Sequence, residues 1–278
     1  MRYRLLALDV DGTLLDPAGE LRPTVRDAVL AVQQRGLRVI LCTGRRFRTA
    51  LPLAQALQLA GPIVVHNGAL VKDAMSGQTL QRQYMSAAMY LQAQSLLRQL
   101  STPMAYIDAF HENVDIITEP MERAHPFQQE YLQDNLAHCR IVDTLDVPPA
   151  HGVVLMGIMA DGQSLHALRP AIEQALGSQG RVHLLLNKSY QGYILEVLQA
   201  GVSKWQGLQY VAAQEGIAPE EIVAIGDDHN DVDMIRHAGL GIAMGNAVAE
   251  VQAAADVVTG NNAEDGLVQA LARFVLHS

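Results

Sequence analysis

The chain has 278 residues, 49% of them hydrophobic and 5% aromatic, which is enough for one large or two ordinary domains with ample core. Its formal net charge is −9, so no basic footprint recommends nucleic acid or an anionic membrane surface as a partner. Cys42 and Cys139 show no zinc or redox spacing, "LLAL" is too short for a signal segment, and no apolar run approaches a membrane span; a cytoplasmic protein is expected.

The opening "RYRLLALDVDGTLLD" reads as a buried strand over 3–9 that ends by presenting Asp9 and Asp11 almost side by side. Two carboxylates about 4 Å apart repel by roughly 4 kcal/mol at an effective dielectric near 20, so other residues must compensate. A helix is expected from Pro23 to Arg35, with Val25, Ala28, Val29 and Val32 on one face and Gly36 as its stop. "LRVILC" reads as a strand, "RRFRTALPLAQALQL" as a helix, "PIVVH" as a third strand and "ALVKDAMSGQTLQRQ" as a polar hairpin. Apolar runs alternating with helices indicate a parallel sheet covered on both faces.

From Ser86 to about Lys188 the rhythm changes. A helix (86–100), strands at "MAYID" and "NVDIIT", a helix (121–136), the strand "VVLMGIMA", a helix (164–177) and the strand "RVHLLLN" carry apolar residues of their own. With "YILEVL" the first rhythm is expected to return: helix 204–215, strand "EIVAIG", a helix, strand "GIAM", a helix and a last helix over 264–276. The expected fold is α/β: a doubly wound, Rossmann-like parallel-sheet core (1–84 and 191–278) with an inserted α/β cap domain (85–190).

Each expected core strand ends in polar residues: Asp9-Val10-Asp11, Thr43-Gly44-Arg45, His66-Asn67-Gly68 and Asp227-Asp228. In an open parallel sheet these ends share one edge, where ligands bind. Plainer readings stand beside each: an acidic turn for "DVDGT", a helix N-cap for Thr43, a turn-forming Asn-Gly for Asn67, a solvated helix start for Lys204. "GDDHNDVDM" is not a calcium loop, because Val232 stands where an EF-hand needs glycine and Ala238 where it needs glutamate. "GLGIAMG" lacks the strand-to-helix spacing of a dinucleotide loop, and the ten histidines show no ligand pair.

"DVDGTLLD", "LCTGR", "GVSKW" and "GDDHNDVDM", in this order, resemble the four motifs of the haloacid dehalogenase superfamily of phosphotransferases. The insert, flanked by "HNGA" and "YILEV", is similar to the Cof-type branch with a large α/β cap. The resemblance implies a Mg²⁺-dependent phosphatase acting on a small phosphorylated metabolite, with sugar phosphates favoured by family habit. It implies Asp9 as nucleophile, forming an aspartyl-phosphate, and Asp11 as general acid and base. Asp9, Asp227 and the Asp11 carbonyl are the implied metal ligands. Thr43 and Gly44 would bind the phosphoryl group, together with Lys204, Asn67 and Asn230, while Asp231 would orient the metal shell or Lys204. One departure is Trp205, where the family commonly has glycine after the lysine. A phosphomutase of the same fold and a phosphorylatable, receiver-like signalling module remain as alternatives. In the cap, His111, Glu112, Asn113, Asn187 and Lys188 are candidates to face substrate, although ordinary surface roles fit each of them. Oligomeric state has no signal in the sequence.

Overall fold

Short apolar runs bounded by polar residues become the strands of the first chain segment. It comprises β1 (Leu5–Leu8), α1 (Pro23–Gln34), β2 (Arg38–Leu41), α2 (Phe47–Ala56), β3 (Pro62–Val65), β4 (Leu70–Asp73) and β5 (Thr79–Arg82). The insert follows with α3 (Ala87–Leu97), β6 (Met104–Ala109), β7 (Val114–Thr118), α4 (Pro126–Asp134), β8 (Cys139–Ile141), β9 (Val153–Ala160), α5 (Gly162–Leu176), β10 (Gly180–Asn187) and β11 (Gly192–Gln199). The last segment holds α6 (Lys204–Gln214), β12 (Ile222–Gly226), α7 (Val232–His237), β13 (Leu240–Ala243), α8 (Ala249–Ala254), β14 (Val257–Val258) and α9 (Gly266–Ala270). The computed structural model describes residues 2–187, 190 and 192–276. Contacts divide the chain into two units, Met1–Gln81 with Ser203–Ser278, and Arg82–Val202.

In the first unit five parallel strands stand in the order β14-β13-β12-β1-β2. β1 lies between β12 and β2, and all four of its residues are buried, as expected for a strand covered on both faces. Its register pairs Leu8 with Ile225 of β12, so the chain leaves both strands at one edge, and Asp9 N–H donates to the Ile225 carbonyl at 3.0 Å. β3 was expected as a further parallel strand. It meets the chain just past β2 through one parallel bridge, Cys42 to Val64, and otherwise pairs antiparallel with β4 in a separate sheet of order β3-β4-β5. The hairpin following β3 supplies a close partner on its other side, and a four-residue run does not encode that choice.

The second unit is a six-stranded sheet of order β10-β11-β9-β6-β7-β8. Met89, Tyr90 and Leu97 of α3 and Leu165, Ile172 and Leu176 of α5 pack with its strands in one core. The strand "YILEVL" corrects the sequence reading. As β11 it pairs antiparallel with β10 from Gly180–Gln199 to Asn187–Gly192, and with β9 on its other edge. It therefore belongs to the insert, and the chain re-enters the first unit after Val202 rather than after residue 190. An apolar run carries no mark of its sheet; only the register with a neighbour does. α4 also starts later than expected, at Pro126, because proline takes the first helical position and the His125 ring accepts the Phe127 N–H.

Among the described residues no helix is long and apolar enough to cross a membrane. Cys42 is fully buried at the end of β2, and burial pushes its thiol well above the ordinary range, whereas Cys139 is partly exposed. A thiol reagent such as DTNB at pH 8 should therefore modify Cys139 alone in the native protein and both cysteines after denaturation. Rapid native labelling in Cys139→Ser would contradict this placement.

Candidate active site

Four sheet-edge segments bring the expected residues together within the first unit. Asp9 follows β1, Asp227 follows β12, Asp231 closes the short turn His229–Asp231, and Lys204 opens α6. Oxygens of Asp9, Asp227 and Asp231 lie within 4.8 Å of one another. The Lys204 side chain is 1% exposed, and its ammonium donates to Asp9 Oδ1 and to Asp231 Oδ1, both at 2.6 Å. α6 starts at this point because Ser203 caps it, its hydroxyl accepting the Gln206 N–H at 3.2 Å. Gly68 supports the same turn: at φ +96° it lies so close that a Cβ would stand 1.9 Å from the Ser203 carbonyl oxygen. Trp205, where the family has glycine, turns away from the carboxylates into the apolar core and stacks on the His237 ring with centroids 5.6 Å apart.

Asp231 has little freedom. Its Oδ2 accepts the N–H groups of Asp227 and Asp228 at 3.0 Å each, and its Oδ1 accepts from Lys204. It is thus a brace for Lys204 and for the strand end. The neighbouring Asp228 accepts the His229 N–H at 2.7 Å. Asp227 Oδ1 accepts from the Thr13 hydroxyl at 3.1 Å, and Gly12, at φ +88°, passes so near that a Cβ would lie 2.1 Å from Asp227 Oδ2. Only glycine fits there.

The electrostatics follow from burial. Asp9 is held well above the usual carboxylate range, first by burial and then by the charge of Asp231, with Lys204 opposing. Asp227 is pushed up to about 7, again chiefly by burial and by Asp231, against the Thr13 hydrogen bond and Lys204. Burial alone would lower the Lys204 ammonium, but the charges of Asp231 and Asp9 raise it above its ordinary value. Among the described residues Lys204 is the one cation hydrogen-bonded to this carboxylate group. Three close carboxylates facing one ammonium form a hard, all-oxygen donor set with a charge deficit, and that fits Mg²⁺.

The remaining candidates divide. The Asp11 carboxylate lies outside the cluster: it takes two hydrogen bonds from Arg45, at 2.8 and 2.7 Å, with its side chain 62% exposed. Thr43 is buried but caps no helix, since α2 begins only at Phe47; its Oγ1 accepts the Arg45 N–H and its carbonyl accepts the Asn67 N–H. Gly44 has no side chain where a Cβ would sit 3.0 Å from Asn67 Oδ1. Asn67 is fully buried at φ 56°, and its Oδ1 accepts from Asn230 Nδ2 at 2.8 Å. Asn230 therefore spends part of its donor capacity on Asn67, and its own Oδ1 is buried without a partner. Sequence reasoning missed Thr13, Arg45 and Asn246; the last hydrogen-bonds both the Gly12 carbonyl and Asp227. Thr13 and Arg45 lie inside the quoted motifs and could have been weighed there.

The candidates in the insert make local contacts. Glu112 pairs with His151 at 3.3 Å and Arg140 at 3.8 Å, and Asn113 adopts a left-handed turn with its amide on the Ala137 carbonyl. His111 sits edge-on to Phe110, and Asn187 ends β10; Lys188 lies outside the described residues.

The doubly wound sheet thus carries a buried lysine and an acidic, cation-suited corner at the carboxyl ends of its strands, the edge where α/β enzymes bind their ligands. A family-wide sequence profile described as haloacid dehalogenase-like hydrolase matches residues 6–271, and the chain belongs to that family. Similar proteins include the stress response protein YhaX of Bacillus subtilis, 28% identical over 99% of this chain and 94% of that one. The pyridoxal phosphate phosphatase YbhA of Escherichia coli is 27% identical over 97% of both chains. Among solved structures, a haloacid dehalogenase-like hydrolase from Bacteroides thetaiotaomicron is 28% identical, covering 98% of this chain and 99% of that one, with a TM-score of 0.80. The protein is an enzyme of the phosphatase type within this family, which sets aside the receiver-like signalling module.

Proposed function

We propose that the protein is a Mg²⁺-dependent phosphatase that hydrolyses small phosphorylated metabolites, sugar phosphates among them, through an aspartyl-phosphate on Asp9. The observation that carries the reading is the buried Asp9–Lys204–Asp231 bridge beside Asp227. Lys204 holds Asp9 Oδ1, so Asp9 Oδ2 is the oxygen left to attack phosphorus. The O–P bond forms as the ester P–O bond breaks, and Asp11, after leaving Arg45, gives a proton to the departing oxygen. Asp11 then takes a proton from water, which attacks phosphorus, and the Asp9 carboxylate is released with inorganic phosphate. Thr43, Gly44 and Lys204 surround the phosphoryl oxygens, with Asn67 and Asn230 behind them. The Asp9 and Asp227 carboxylates and the Asp11 carbonyl would hold Mg²⁺. That ion would supply positive charge against the phosphoryl oxygens, as transition-state stabilisation of this chemistry requires.

Turnover of p-nitrophenyl phosphate and of a panel of phosphorylated metabolites should require Mg²⁺ and stop with chelator; chelator-resistant turnover would sink the reading. Binding gives an independent check. Asp227 titrates near 7 in the metal-free fold but near 3.9 when unfolded, so the stabilisation from its bound proton, full below about pH 4, is lost as pH rises to about 7. Mg²⁺ must displace that proton at pH 5 and need not at pH 8. The rise in Tm on adding Mg²⁺ should therefore be larger at pH 8 than at pH 5, and small in Asp227→Asn. A shift equal at both pH values would contradict the assignment of Asp227.

A further inference from the structure

Asn246 lies just past β13, in a stretch whose glycines suggested nothing functional in the sequence. Its side chain nevertheless makes three hydrogen bonds around the acidic corner. Nδ2 donates to the Gly12 carbonyl at 2.9 Å and to Asp227 Oδ2 at 3.3 Å, while Oδ1 accepts the Asn262 N–H at 2.9 Å. The Asn262 amide in turn donates to the Leu15 carbonyl at 2.8 Å. The two asparagines thus clamp the loop that leaves β1, Gly12 at one end and Leu15 at the other, against the carboxylate that follows β12.

The chemistry of the amide fits this place. One end offers two donors, and both nearby groups, the Gly12 carbonyl and Asp227 Oδ2, are acceptors. The other end offers an acceptor, and the group facing it is a backbone N–H. The Asn262 N–H therefore fixes which way round the amide stands. With Thr13 on Oδ1 and Asn246 on Oδ2, each Asp227 oxygen takes one protein donor and keeps lone-pair capacity for a cation. Asp227 cannot rotate without breaking one of these bonds.

We infer that Asn246 is a positioning residue that orients the Asp227 carboxylate for a divalent cation and ties the Asp9–Leu15 loop to it. This rests on the proposed function, in which Asp227 holds that cation. Groups that orient a metal ligand typically change metal affinity by about 10- to 100-fold when removed.

The test uses the full chain stripped of metal, with MgCl₂ as the probe. Isothermal titration calorimetry should show Asn246→Ala binding Mg²⁺ at least about 10-fold more weakly than wild type. The Mg²⁺ concentration for half-maximal p-nitrophenyl phosphate turnover should rise in parallel, while KM for the ester at saturating Mg²⁺ stays within about twofold. Asn246→Asp retains the acceptor but sets a carboxylate against two acceptors, so it should bind Mg²⁺ no better than Asn246→Ala at low Mg²⁺. Unchanged Mg²⁺ affinity in a folded Asn246→Ala would overturn the inference. So would a parallel loss of Mg²⁺ affinity, KM and metal-free Tm, because that pattern belongs to a merely structural residue. Failure of wild type itself to bind Mg²⁺ would instead remove the proposed function and this inference with it.

Discussion

Asp9→Asn should lower turnover by at least about three orders of magnitude while leaving the protein folded. Asparagine keeps the shape of the side chain, and its carbonyl can still accept from Lys204, so the strand end retains its hydrogen bond. What it lacks is a carboxylate oxygen able to bond to phosphorus. The same change removes a charge that the metal-free fold tolerates poorly, since burial and Asp231 hold Asp9 far above its ordinary value. A group whose folded pKa is raised contributes stability that is present below about pH 4 and lost as pH rises, so the asparagine variant escapes that loss. Its metal-free Tm at pH 8 should equal or exceed that of wild type. Wild-type rates in a folded Asp9→Asn would end the covalent mechanism. Asp11→Asn offers a sharper contrast with the same ester: p-nitrophenolate leaves without a proton donor, so the first step should survive and the second stall. A stopped-flow trace should then show a burst of about one p-nitrophenolate per active site followed by a slow phase.

Much of the active corner could be read from the sequence, for a physical reason. Strands buried on both faces are uninterrupted apolar runs, so a polar residue marks where each strand stops, and parallel strands all stop at one edge. That rule places Asp9, Thr43, Asn67 and Asp227 at one edge, and the structure carries β1 and β12 out side by side at Leu8 and Ile225. The parts that were not legible depend on pairings without a local period. β11 has the composition of a core strand, and only its eight-residue register with β10 shows it to be in the insert. Thr13 and Asn246 reach Asp227 across 214 and 19 positions, and Asn246 reaches Gly12 across 234. No sequence spacing announces such contacts. Thr43 shows the limit of residue type: the helix cap that stood as its plainer reading is not formed, because its hydroxyl accepts the Arg45 N–H and the helix waits until Phe47.

Lys204→Met should lose turnover and also destabilise the metal-free protein by about 3–5 kcal/mol at neutral pH, the usual result of removing one partner from a buried ion pair. Methionine fills nearly the same volume, so the loss is electrostatic rather than a cavity effect. Asp9 and Asp231 each lose the donor that stands 2.6 Å from an oxygen, and neither gains water, because the side chains are 6% and 0% exposed. The penalty should also depend on pH. Lys204 opposes the rise in the Asp9 pKa, so without it Asp9 in the folded state resists ionisation still further. The proton-linked stability present below about pH 4 is then lost over a wider range as pH rises, and the deficit relative to wild type should be larger at pH 8 than at pH 5. Adding Asp231→Asn to Lys204→Met removes one of the stranded charges and should recover part of the stability but none of the turnover, since the point charge facing phosphate is still missing. Urea unfolding in EDTA at the two pH values, for wild type, both single variants and the double variant, measures each of these quantities. A Lys204→Met protein as stable as wild type at pH 8, with no gain from the second substitution, would mean that the ammonium is not what holds the two carboxylates together.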